Sequence, residues 1–218
     1  MTKNQLSRYV LTDELYKLLK DQIISHIMSA GDKINIDKLT RELGVSNIPI
    51  REALFRLASE GFVTNVPFKG MFVAEMNLKD IDDIFEIRNH LEELAIRKAA
   101  LLIPRERLEQ ILLELGNHEQ EGAVWNGEEN RLLSMNEGLH GTILSYTSNS
   151  ILQQMVTSLI ERIYRYLNLY HYQIDLAAER IEHESIVQAL LAGDTEQAVA
   201  SMRVHLQEAH RRLRANVN

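Results

Sequence analysis

The run Gly44-Val45-Ser46-Asn47-Ile48-Pro49 constrains the fold more than any other part of the chain. Glycine is expected where a helix ends in a left-handed turn. Ser46 can cap a new helix, and Pro49 is tolerated in a first turn, where N–H groups have no intrahelical partner. Upstream, residues 37–43 read as a short helix with Leu39 and Leu43 four apart. Downstream, Ile50, Ala53, Leu54, Leu57 and Ala58 form one apolar face of a helix that ends at Gly61. Arg51, Phe55, Arg56 and Ser59 fall toward its other side.

The flanking segments complete a recognisable order. Residues 11–28 read as a helix whose face is Leu15, Leu18, Leu19, Gln22, Ile23 and Ile27, stopped by Ala30-Gly31-Asp32. Two β-prone runs, 62–66 and 71–74, flank the turn Pro67-Phe68-Lys69-Gly70 and read as a hairpin. Helix, short helix, glycine turn, capped helix and hairpin is a winged helix-turn-helix. Its expected task is DNA binding, although small α+β modules of this kind also serve as protein-interaction units.

Composition sets outer bounds. Apolar residues make up 45% of 218, enough for a core, and 10 Gly with 3 Pro are too few for a loop-rich β protein. The absence of cysteine removes disulfide scaffolds, thiolate zinc sites and cysteine nucleophiles. Apolar stretches reach about half a membrane span, and the opening MTKNQLSRYV lacks the apolar centre of a signal peptide. A cytoplasmic protein with no membrane partner is expected. Residues 1–75 carry 10 basic and 9 acidic side chains, whereas residues 76–218 carry 14 and 22. With so little net charge a single winged domain binds DNA weakly, because phosphate contacts supply most of the affinity. Two copies reading a palindromic operator are therefore expected, as a homodimer.

From Asp80 onward the pattern is helical, with breaks near Pro104, 121–127, 147–149, 173–175 and Gly193-Asp194. Six helices are expected, over 77–102, 105–120, 128–146, 150–172, 176–192 and 195–215. Together they form an all-α antiparallel helical bundle. The fold class is thus mainly α, with domains 1–75 and 76–218.

Several polar residues interrupt apolar stripes in this bundle. Arg88 shares a stripe with Ile81, Ile84, Leu91, Ala95 and Leu102. A buried guanidinium needs an anion, either an Asp or Glu of the chain or the carboxylate of a ligand. Asn136 and His140 lie four apart beside Leu139 and Ile143, His183 lies on a face with Val187 and Leu190, and His205 lies between Met202 and Ala209. One such histidine is ordinarily a hydrogen-bonded core residue. Three, on three helices, also suit a divalent metal with open positions. All four ligand candidates are neutral, so a bound cation keeps its charge and attracts an acid.

Residues 39–63, LTRELGVSNIPIREALFRLASEGFV, resemble the N-terminal domain of GntR-family bacterial transcription regulators over about residues 10–75. By that resemblance Ser46 and Arg51 sit at DNA-contacting positions. Asn47, suited to bidentate contact with adenine, stands where relatives often carry Arg, and Asp37 likewise. Lys69 and Gly70 at the wing tip suit approach to the backbone or minor groove. Glu86-Ile-Arg88 with Leu91-Glu92, Asn136-x3-His140, His183 through Ala198, and Met202-x2-His205-Leu206 look like the FadR C-terminal (FCD) effector domain, in its shorter, VanR-like six-helix form. The resemblance implies a metal, zinc or nickel, held by Asn136, His140, His183 and His205, with Arg88 helping to bind a small organic acid.

The function expected is a DNA-binding transcription regulator whose operator affinity responds to a small carboxylate. The rival is a metal-dependent hydrolase or lyase with an appended winged-helix domain, and against it no general base stands out beside the histidines.

Overall fold

Helices carry nearly all regular structure in the computed structural model, which describes residues 3–117, 137–170 and 175–217. The first, α1 (Lys3–Ile24), begins well before the expected residue 11, since residues 3–10 contain neither Gly nor Pro to stop it. Then come α2 (Ile36–Leu43) and α3 (Asn47–Ser59). Asn35 caps α2 by accepting from the Lys38 N–H at 2.9 Å, and Gly44 ends it at φ 66°, in the left-handed region that glycine occupies without a Cβ penalty. Ser46 sits at the N-cap of α3 with an extended backbone but makes no side-chain capping bond, unlike the expectation.

Strands β1 (Val63–Val66) and β2 (Gly70–Val73) form the antiparallel wing, with Val63 opposite Val73 and Val66 opposite Gly70. Its turn holds Phe68 at φ 63°, fully exposed. Ile50, Ala53, Leu54 and Leu57 of α3 are completely buried against Leu19 and Ile23 of α1 and Phe62, as the apolar periodicity predicts.

The chain divides into two compact units, Met1–Asn77 with Glu161–Leu169, and Leu78–Ile160 with Tyr170–Asn218. The second unit is built from α4 (Leu78–Ala99), α5 (Arg105–Asn117), a π-helical turn Glu137–Gly141 running into α6 (Thr142–Ser145), the first part of α7 (Ser150–Leu169), α8 (Leu176–Leu191) and α9 (Thr195–Val217). Helix α9 packs against α8 and α4, α5 packs on α8, and α4 meets α6. Ile81, Ile96, Ile111, Leu139, Ile186 and Met202 are among its fully buried side chains. The stripe on α4 departs from expectation at its end. The helix stops at Ala99, so Leu102 lies beyond it and is exposed, while Phe85, Glu92 and Ile96 join the buried face.

The last part of α7 belongs to the first unit through polar contacts. Lys20 bridges Glu60 and Glu161, and Arg165 donates to the Ala74 carbonyl at 2.6 Å. The Tyr166 hydroxyl accepts from the Asn77 N–H and donates to its carbonyl, and Asn168 donates to the Ile24 carbonyl. Tyr166 and Arg165 therefore act in packing this segment. No helix among the described residues is long and apolar enough to cross a membrane.

Candidate functional site

Three helical elements bring the expected histidines together. His140 comes from the π-helical turn, His183 from α8 and His205 from α9, and all three are buried. One ring nitrogen of each lies within 4.8 Å of the others. The His183 and His205 Nε2 atoms are 3.3 Å apart, and His140 Nε2 is buried without a hydrogen-bond partner among the described residues. Two imidazole nitrogens bound to one zinc ion at about 2.0–2.1 Å and a tetrahedral angle lie roughly 3.3–3.4 Å apart. The donor set therefore fits a divalent metal. Single π-helical turns are frequent at functional sites.

Carboxylates stand behind two of the rings. His140 Nδ1 donates to Glu92, and His205 Nδ1 donates to Glu182 at 2.8 Å. Each carboxylate is met in turn by an arginine. Arg88 Nε and Nη2 lie 2.8 and 2.7 Å from Glu92 Oε1, one helical turn away. Arg212 reaches Glu182 with both terminal nitrogens, at 2.6 and 2.9 Å, and Glu179 at 2.8 Å. An ionised carboxylate only accepts hydrogen bonds, so both contacts put a proton on Nδ1, and in the neutral form of each ring Nε2 then keeps a lone pair.

The electrostatics agree with that tautomer. Burial raises the Glu92 carboxyl, but Arg88 and His140 outweigh it and hold it at about 2. Glu182 is likewise held at about 2, as Arg212 and His205 overcome the cost of burial. Burial pushes His140 below the ordinary imidazole value against the pull of Glu92. His183 lies well below it through burial and the neighbouring His205 and His140. Both rings are therefore neutral near pH 7, the form that binds metals. A second trio, Glu179, Glu182 and His205, also brings donor atoms together. Its two carboxylates are bridged by the Arg212 guanidinium.

In the first unit, Ser46, Asn47 and Arg51 are exposed at the start of α3, and Lys69 and Gly70 are exposed at the wing tip. Ile48 and Phe55 add half-exposed apolar surface to the same helix. Arg56 is otherwise engaged, stacked over the Tyr16 ring and paired with Asp13 at 2.9 Å.

Comparison with known families separates a regulator from an enzyme. Residues 11–73 match the model described as "Bacterial regulatory proteins, gntR family", and residues 83–208 match the FCD domain. The chain belongs to the GntR family of transcription regulators, in the group carrying an FCD domain. It is 30% identical over 188 residues to the Nta operon transcriptional regulator of Aminobacter aminovorans, covering 85% of this chain and 86% of that one. It is 29% identical over 196 residues to the HTH-type transcriptional regulator YdhC of Bacillus subtilis, covering 88% and 86%. The solved structure of Escherichia coli McbR matches with a TM-score of 0.74 at 25% identity, over 95% of this chain and 99% of that one. Both domains and these relatives are those of transcription regulators, so the hydrolase or lyase reading is not favoured.

Within this GntR regulator the structure joins His140, His183 and His205, while Asn136 lies outside the described residues. Arg88 is buried as expected and is paired with Glu92 of its own chain. In the sequence Glu92 stood out only as part of the FCD-like motif, and Glu179, Glu182 and Arg212 had no expected place in the site. The carboxylates missing from the stripes do stand beside the histidines. Two signals were present: Glu92 follows Arg88 by four, and Glu182 precedes His183 directly.

Proposed function

We propose that this regulator binds a palindromic operator as a homodimer and that a small carboxylate, held at a divalent metal on His140, His183 and His205, alters its operator affinity. The observation that carries the sensing half is the buried trio of imidazoles with nitrogens within 4.8 Å. When bound, a zinc or nickel ion supplies positive charge and open positions for an oxyanion. Among the chain's own residues His140 and His183 are held neutral, Glu92 is paired with Arg88, Arg212 is shared by Glu179 and Glu182, and Asn136, the further expected ligand, is neutral too.

On the DNA side, α3 presents Asn47 and Arg51 for base edges and phosphate, with Ile48 suited to a thymine methyl. Because the Ser46 side chain makes no cap bond, the first-turn N–H groups of α3 are open to a phosphate. Lys69 and Gly70 bring the wing to the backbone or minor groove. The acid favours one of two arrangements with different operator affinity, so the operator must change acid affinity by the same factor.

Elemental analysis with native mass spectrometry of gently purified protein tests this reading. A dimer with about one metal per chain is expected. A metal-free dimer to which added zinc does not bind would overturn the metal-centred part and leave the DNA-binding assignment standing.

A further inference from the structure

The two Arg–Glu pairs repeat one arrangement beside the histidine cluster. In each, a guanidinium holds a carboxylate, and the carboxylate accepts from the Nδ1 of one imidazole: Arg88, Glu92 and His140 in one, Arg212, Glu182 and His205 in the other. The two come from different elements. Arg88 and Glu92 are neighbours on α4 and reach a histidine on the π-helical turn, whereas Arg212 on α9 crosses to Glu182 on α8 and back to a histidine of α9. His183 lacks such a partner, since its Nδ1 has no hydrogen bond among the described residues.

We propose that Arg88–Glu92 and Arg212–Glu182 are positioning pairs for the metal site. They fix His140 and His205 as Nε2 donors, and Arg88 acts through Glu92 rather than by grasping the acid. This inference rests on the metal reading above. A carboxylate on the distal nitrogen of a metal-bound imidazole fixes the ring and raises its basicity. A carboxylate alone would also offset the cation's charge and weaken its hold on an anion, and an arginine behind each one reduces that effect, fully at Glu92 and in part where Arg212 is shared by Glu179 and Glu182. His183, buried but without a carboxylate partner at Nδ1, is then the least oriented of the three. The arrangement also accounts for Arg88 and Arg212 lying in the core beside Glu92, Glu179 and Glu182, where an unpaired charge is strongly destabilising.

Zinc affinity of the full-length protein, measured by competition with a chromophoric chelator in acid-free buffer, tests the pairs. Glu92→Gln and Glu182→Gln are each expected to weaken zinc roughly 10- to 100-fold. Arg88→Gln is expected to weaken it as well, with the Arg88→Gln/Glu92→Gln double variant no weaker than Glu92→Gln alone. Wild-type zinc affinity in Arg88→Gln, or losses that multiply in the double variant, would overturn the assignment of Arg88. Nitrogen-15 spectra of the metal-free wild type provide a readout that needs no variant. Protonated Nδ1 on His140 and His205 supports the pairs, and protonated Nε2 on either contradicts them. Failure of the wild type to bind zinc would sink the metal reading instead, and the same spectra would still decide whether the pairs orient the rings.

Discussion

The two units use polar residues in opposite ways. In the winged-helix unit the core is apolar, and the DNA-facing candidates Asn47, Arg51 and Lys69 stand in solvent on its outside. In the FCD unit the functional candidates are inside, with His140, His183, His205, Arg88 and Glu92 all buried among Ile81, Leu139, Ile186 and Met202. DNA is a large polyanion met at a surface, so its contacts cost no desolvation in the free protein. A metal with a small acid is surrounded, and its ligands must be held before it arrives. The first unit can lose a contact residue and keep its fold, whereas the second stakes part of its packing on polar partners being satisfied.

Substitutions on either side of this contrast have unequal expected effects. The largest is His183→Ala, which should reduce bound metal to near zero by elemental analysis while acid-free operator binding persists. Full occupancy would place the metal elsewhere. Next, Arg51→Ala should weaken operator binding by about 1–3 kcal/mol in fluorescence anisotropy. Its thermal stability should change by no more than about 0.5 kcal/mol, as for an exposed side chain away from the core. A large loss of stability would mean that the outer face of α3 is structural.

A pH series reads the buried histidines directly. Burial holds His140 and His183 below their ordinary value of about 6.5, so well above that pH both are neutral whether folded or unfolded and contribute no pH dependence. As the pH falls below that value the unfolded chain takes up protons first, and stability declines. The melting temperature of the metal-free protein should therefore drop from pH 7 to 5, with a shallower slope in His183→Leu. A variant slope equal to the wild type would show that His183 is not held neutral. The smallest expected effect is Lys69→Ala, which should weaken all duplexes by a similar modest factor and lower the salt slope of binding by about 1. An unchanged slope would make Lys69 a solvated turn residue.

Legibility in the sequence follows the same division. The helix-turn-helix and wing were readable because their signals are local: the left-handed Gly44, Pro49 in a first turn, and the hairpin turn at residues 67–70. What failed there was fine detail, such as the Ser46 hydroxyl that makes no capping bond and the early start of α1. In the second unit the histidines were visible as polar residues interrupting apolar stripes. Their partners were not, because a glutamate or arginine on a helix ordinarily marks a solvated face. Glu92 meets His140 and Arg212 meets Glu182 across intervals of 48 and 30 residues, and no local pattern encodes such a pairing. Arg88 shows the limit most clearly. Its burial followed from periodicity, but its pairing with Glu92 became visible only in the packed structure.

The most direct test of the account is operator affinity by anisotropy with acetate and succinate as mono- and dicarboxylate probes. It compares zinc-loaded wild type with His183→Ala in parallel titrations. The account predicts that a carboxylate shifts operator affinity about fivefold or more in the zinc-loaded protein, and that His183→Ala binds the operator but no longer responds. A shift of equal size in both proteins would contradict it, since the acid would then act without the histidine centre.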